Sequence, residues 1–210
     1  MRARLLYVMD PMCSWCWGFA PVLESLAEQA AAAGVGLELV MGGLRREGVA
    51  IDAASRVRYL GYWQAVNAST GQLFNFNDGL PEGLVYDTEP ACRALVTARA
   101  LAPELVLPLN RLIQRAFYTQ GVDVTRASVL VELAERAGIP RIVFAEAFDS
   151  AAQRAATAAD VSWVQDLGIA GFPTLLAERN GQMALLTNGY QPLDVLQPLL
   201  GRWLERIVNA

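Results

Sequence analysis

Apolar and polar positions alternate along the chain in two distinct rhythms. Residues 5–9, Leu-Leu-Tyr-Val-Met, form a continuous apolar run closed by Asp10-Pro11, which predicts a buried strand ending in a turn. From 13 to 33 the apolar positions Val22, Leu23, Leu26, Ala27 and Ala30 recur at three- and four-residue spacing, the rhythm of a helix, with Pro21 a kink point and Gly34 a natural stop. Residues 36–41 alternate as a second strand does before Gly42-Gly43 breaks it. The opening fifty residues therefore predict a βαβ unit.

The middle of the chain changes rhythm. Residues 53–67, 90–100, 105–118, 126–137, 142–148 and 151–167 all carry helical spacing, and no convincing strand lies among them. Thr88, and Asp123 or Thr125, are candidate helix caps, and Gly138-Ile139-Pro140 ends the fourth of the chain's helices in this block. The loop 71–87, rich in Gly, Asn and Asp, is the one long irregular segment and either lines a site or connects helices. After Gly171-Phe172-Pro173-Thr174, strand-like runs at 174–179 and 182–187 flank Asn180-Gly181, a strong type I′ hairpin signal. A helix over 193–208 closes the pattern as βαβ, helical block, ββα.

Composition narrows the chemistry. The 210 residues, just over half of them apolar, suffice for one substantial core, or for a domain with a large insertion. A net charge of -4 with no basic block gives no electrostatic footprint for nucleic acid. Histidine is absent, and all 17 basic residues are arginine. That excludes a Ser-His or Cys-His pair, a histidine metal ligand, a lysine Schiff base and a P-loop lysine. The apolar run after Met1-Arg2-Ala3-Arg4 is too short for a signal-peptide core, and Glu38 and Glu104 interrupt the longest candidates for a membrane span. These features predict a cytoplasmic protein with no membrane partner. In a reducing compartment, a close cysteine pair points to catalysis or metal rather than to a structural staple.

That pair is Cys13-Ser14-Trp15-Cys16, placed directly after the first strand and opening the first helix. Residues three apart at a helix start bring their sulfurs within bonding reach, and only the first stays at the exposed end. Cys13 is therefore the expected attacking thiol, its thiolate favoured by unpaired N–H groups and the helix dipole. Exchange would proceed through a mixed disulfide on Cys13 that Cys16 resolves. The bland alternative is a pair of small buried residues. A closed zinc site needs four ligands, whereas the chain offers three cysteines and no histidine, so no metal is expected. Cys92, among Ala91, Ala94 and Leu95 in a helical segment, reads as core packing.

The dithiol at the helix start, Pro21 five residues beyond Cys16, and Gly171-Phe172-Pro173-Thr174 before the hairpin resemble, in order and spacing, the DsbA-like branch of the thioredoxin superfamily. The resemblance covers essentially the whole chain. It implies an α/β thioredoxin-like fold, with residues 1–50 and 169–210 as one discontinuous domain and 51–168 as an all-helical insertion that includes the connecting helix. It also implies that Pro173 is cis and faces the dithiol, and that the backbone at Phe172 pairs with substrate. Trp15 would add an apolar rim for substrate, while Trp17 is the better core residue. Two departures stand out. Ser14-Trp15 replaces the Pro-His of periplasmic DsbA, implying a less oxidising dithiol. Tyr7 stands where many relatives carry a buried acid, for which Asp10 is the substitute, although an aspartate at a strand end is usually a turn residue.

The leading expectation is thus a thiol-disulfide oxidoreductase or isomerase. It would act on protein or small-molecule disulfides and thiols, draw on a cellular thiol reductant and need no cofactor. Two others remain open: a glutathione-dependent isomerase or transferase of the kappa-like type, which needs no resolving cysteine, and a non-catalytic peptide-binding module using the groove around Trp15 and Pro173.

Overall fold

The computed structural model describes residues 3–208; Met1 and Arg2 of the basic start, and residues 209–210, lie outside it. β1 (Ala3–Met9) leads into α1 (Ser14–Ala32) and β2 (Gly36–Met41). A helical stretch follows: α2 (Ala53–Thr70), α3 (Glu89–Leu101), a 3-10 turn (Pro103–Leu105), α4 (Val106–Gln120), α5 (Ala127–Arg136), α6 (Arg141–Phe148) and α7 (Ala151–Asp166). β3 (Thr174–Arg179), β4 (Gln182–Asn188) and α8 (Leu193–Val208) complete the chain. The four strands form one sheet in the order β2-β1-β3-β4, with β1 parallel to β2 and antiparallel to β3. This is a thioredoxin fold with a helical insertion.

β1 is the central strand, and its apolar run is buried on both faces, as a continuous hydrophobic strand requires. On one face Leu5, Tyr7 and Met9 join the main core with Phe19, Leu23 and Leu26 of α1. On the other, Leu6 and Val8 pack with Val40, Leu176 and Val164 of α7. The main core runs on without a break into the helical stretch, where Trp63, Phe117 and Tyr118 are buried together.

α1 runs on past Pro21. At the hairpin, Asn180 and Gly181 both have positive φ, as a type I′ turn requires, and β3 and β4 pair through a register shift at Leu175/Leu176. β2 is an outer strand, yet part of its free edge is covered. Arg99 of α3 donates to the Leu39 carbonyl at 2.7 Å, and Asp160 of α7 accepts from the Met41 amide at 2.9 Å. Arg99 and Asp160 are themselves paired at 2.8 Å.

The caps differ from the sequence-based expectation. Thr88 does precede α3, but its hydroxyl makes no cap bond and turns instead to Asp10. Asp123 accepts from the amide and hydroxyl of Thr125 in a local turn, while Arg126 is the residue before α5. Among α1–α7, the side chains that cap helix starts are Asp52, accepting from the Ser55 amide, and Ser150, accepting from that of Gln153.

Candidate active site

The end of β1 and the start of α1 create the site. Asp10-Pro11 halts the strand, the Cys13 amide closes the turn onto the Asp10 carbonyl at 3.0 Å, and Cys13 stands as the residue before α1 in extended conformation. Cys16, one turn in, is 1% exposed against 6% for Cys13. Both are free thiols. The Phe172-Pro173 bond is cis, and the Phe172 carbonyl oxygen lies 3.7 Å from the Cys13 sulfur across 159 residues of sequence. Gly42 is why the Phe172 ring fits: a Cβ there would stand 2.0 Å from the ring.

Beneath the dithiol lies a polar knot centred on Asp10, which is wholly buried rather than an exposed turn residue. One carboxylate oxygen accepts from the Met12 amide at 2.8 Å. The other accepts from the Leu44 amide at 2.8 Å, the Thr88 hydroxyl at 2.6 Å and the Cys92 thiol at 3.3 Å. Burial pushes the Asp10 carboxyl up from its ordinary range, and these four donors pull it back. Cys92 is therefore more than filler: it sits in the core as expected, but as a donor to the knot. Burial, with Asp10 beside it, pushes its thiol well up.

Tyr7 occupies the position of the missing acid. It is buried, and its hydroxyl lies against the Cys16 thiol without completing a well-formed hydrogen bond. Burial pushes Tyr7 well above the normal tyrosine range, and Cys16 adds to that. Cys16 is itself pushed well up, first by burial and then by Cys13, whereas the Asp10 backbone amide and the Tyr7 hydroxyl draw it down.

Above the dithiol opens a groove of about 290 Å³, walled by Cys13, Trp15, Arg45, Tyr59, Tyr86 and Phe172 among others. Trp15 lines it and packs at a tilt against Tyr190. Trp17 stacks on Tyr118 instead and donates its indole N–H to the Leu73 carbonyl at 2.9 Å. Ser14 also lines the groove. The loop 71–87 reaches the site through Tyr86, whose hydroxyl donates to the Met12 carbonyl at 2.7 Å. Sequence reasoning left Arg45 and Tyr86 unassigned. The one signal for Arg45 was its place just beyond the C-terminal end of a predicted parallel strand, where sites in α/β sheets gather.

Fold and site together define a thioredoxin-fold protein with a Cys-x-x-Cys pair at the start of its first helix. The chain belongs to the DSBA-like thioredoxin domain family, whose model matches residues 4–201, and so to the DsbA-like thiol-disulfide oxidoreductases. A crystal structure from Nitrosomonas europaea, described as a candidate protein disulfide isomerase, is 40% identical with a TM-score of 0.90, covering 98% of this chain and 99% of that one. The cytosolic disulfide reductase DsbM of Pseudomonas aeruginosa is 31% identical with a TM-score of 0.79, over 95% and 98% of the two chains; a second structure holds DsbM with GSH. A curated relative, the ClpXP adapter protein SpxH of Halalkalibacterium halodurans, is 21% identical over 94% of this chain and 68% of its own length. Among the described residues, no helix is long and apolar enough to cross a membrane.

Proposed function

We propose that the chain is a cytoplasmic disulfide reductase in which Cys13 attacks, Cys16 resolves, and a small thiol such as glutathione restores the dithiol. The observation that carries this reading is the asymmetry of the pair. The Cys13 sulfur stands at the floor of an open groove beside the Phe172 carbonyl, and Cys16 is sealed a turn behind it. The likeness to a cytosolic disulfide reductase supports the direction and compartment, and the form of that protein with GSH supports the small thiol.

In the first step the Cys13 thiolate attacks one sulfur of a substrate disulfide. A bond forms between them, the substrate S–S bond breaks, and the second substrate sulfur leaves as a thiolate that takes a proton from water. Cys16 keeps its own proton while Cys13 is charged, because that charge adds to the burial penalty on a second thiolate. Once Cys13 is a mixed disulfide, its charge is gone. Cys16 then ionises, steadied by the Asp10 amide and the Tyr7 hydroxyl, and attacks the Cys13 sulfur. The remaining substrate sulfur leaves. The substrate has gained two electrons and two protons, and the dithiol has become a disulfide. Two equivalents of small thiol reverse that change and end as their own disulfide. Tyr7 stays protonated throughout and serves as a donor, not a base. In this scheme the Phe172 backbone and Trp15 hold substrate, Pro173 shapes the groove, and Ser14 tunes the potential without the cation a histidine would supply.

The test is a titration in glutathione buffers, read by trapping free thiols, with a Cys16→Ser variant and alkylation at limiting reagent alongside. The expected results are a reversible two-electron transition at a reducing potential, a trapped mixed disulfide on Cys13 in the variant, and preferential labelling of Cys13. Glutathione binding with no transition would replace this reading by the glutathione-dependent isomerase or transferase. Neither binding nor transition would leave a binding module.

A further inference from the structure

We infer that Arg45 is the specificity element of the dithiol groove and selects low-molecular-weight disulfides that carry a carboxylate near the sulfur. The inference rests on the disulfide-reductase reading and narrows its substrate class. Arg45 is the only charged side chain among the described residues that wall the groove with Cys13. Its guanidinium lies over two aromatic faces, 4.7 Å from the Tyr59 ring centre and 5.5 Å from that of Tyr86. Arg58, outside the groove, also lies over Tyr59, at 5.4 Å, so Arg45 alone brings positive charge into the groove of a chain that is acidic overall. Among the described residues, the acid paired with Arg45 is Glu47, at 3.9 Å. That is beyond hydrogen-bond distance, and both side chains are partly exposed, so the pair holds the guanidinium weakly.

What fixes Arg45 is its backbone. Its amide donates to the Thr88 hydroxyl at 3.3 Å, its carbonyl accepts from the Thr88 amide at 3.0 Å, and the Thr88 hydroxyl is bound to Asp10. Asp10 grips Met12, next to Cys13, with one oxygen and Leu44, next to Arg45, with the other. One buried carboxylate therefore sets the separation of nucleophile and cation. The guanidinium rests over Tyr59 and Tyr86 and donates no side-chain hydrogen bond among the described residues, which leaves N–H donors for a carboxylate. The groove, at about 290 Å³, is at the small end of ligand pockets, which fits a small disulfide better than a folded chain.

The test uses fully reduced protein mixed in a stopped-flow instrument with three small disulfides of similar length: 3,3′-dithiodipropionate, 2-hydroxyethyl disulfide and cystamine. Single-turnover rate constants are read from released thiol, so no reductant is needed. Each is divided by that of the same disulfide with free 2-mercaptoethanol to remove leaving-group differences, and these normalised constants are the rates compared. The expected order is carboxylate, neutral, amine. In Arg45→Gln the carboxylate-to-neutral ratio falls about tenfold, the contribution of one charge-assisted hydrogen bond. Arg45→Lys retains the ratio within about threefold, and raised salt compresses it in the native protein. Arg141→Gln, a half-exposed arginine paired with Glu135, controls for overall charge and keeps the native ratio. Equal rates for the three disulfides, or a ratio unmoved in Arg45→Gln, would overturn the assignment while leaving the reductase reading intact. No reaction with any of them would remove both.

Discussion

Two regions meet at the dithiol and hold it by different means. The floor under Cys13 is the Asp10 knot, in which four donors converge on one buried carboxylate. The wall beyond the groove is aromatic: Trp63 is buried edge-on against Phe117 and Tyr118, with Phe74 tilted over it. Burial of aromatic area is strong and its hydrophobic part is non-directional, so the wall supplies stability above all. Hydrogen bonds to a buried charge contribute less net energy but fix positions to fractions of an ångström, so the floor supplies registration.

Removing Trp63 is the harshest way to break this division. Trp63→Ala should cost about 3–5 kcal/mol in denaturant unfolding, while folded molecules keep preferential alkylation at Cys13. A loss of that preference with little loss of stability would reverse the roles given to wall and floor. Gly42→Ala acts at the seam. Its Cβ displaces the Phe172 ring, which should cost roughly 1–3 kcal/mol by overpacking and slow disulfide exchange more than it slows alkylation of Cys13. Equal slowing of both would mean that Phe172 shields the sulfur rather than guiding substrate.

Asp10→Asn tests the floor alone. An amide oxygen can still take the Met12 N–H, but the NH₂ then faces the Leu44 N–H, so roughly 1–3 kcal/mol should be lost near pH 4. The sign of the pH dependence follows from the raised carboxyl. Folded Asp10 holds its proton to higher pH than the unfolded chain does, so its contribution is fully present below about 3.9 and is lost as pH rises through the folded value. The stability gap between native protein and variant should therefore narrow as pH climbs from that point. A gap that is flat or widens would contradict the burial argument. Cys92→Ala is the mildest change. Removing the weakest donor of the knot should cost about 1 kcal/mol or less and leave the dithiol's potential where it was.

The same contrast explains what was legible in the sequence. The wall and sheet are written in local periodicity, so all four strands and the eight helices of the described residues were predicted within a few residues of their ends. The dithiol was legible because helix placement and spacing are local too. The knot was not. Asp10 read mainly as a turn residue, because what buries it comes from Thr88 and Cys92, 78 and 82 residues further on. Thr88 failed as a cap for the same reason, its hydroxyl being taken by a partner no local pattern reveals. Arg45 went unassigned because its setting is made by Tyr59 and Tyr86, which reach it from two separate segments.

The Arg99–Asp160 pair on the outer edge of β2 has a consequence for how copies of the chain behave toward each other. An unpaired strand edge is a template on which another chain can add, and proteins commonly blunt such edges with lysine. This chain has no lysine and instead occupies the Leu39 carbonyl and Met41 amide with an ion pair from two helices. The C-terminal half of that edge is thereby closed to sheet extension. The opposite border, β4, exposes Met183 and Leu185, at 45% and 61%. β4 is therefore the more open template for edge-to-edge growth in a crowded solution, and a charge placed at Leu185 is the direct means of opposing it.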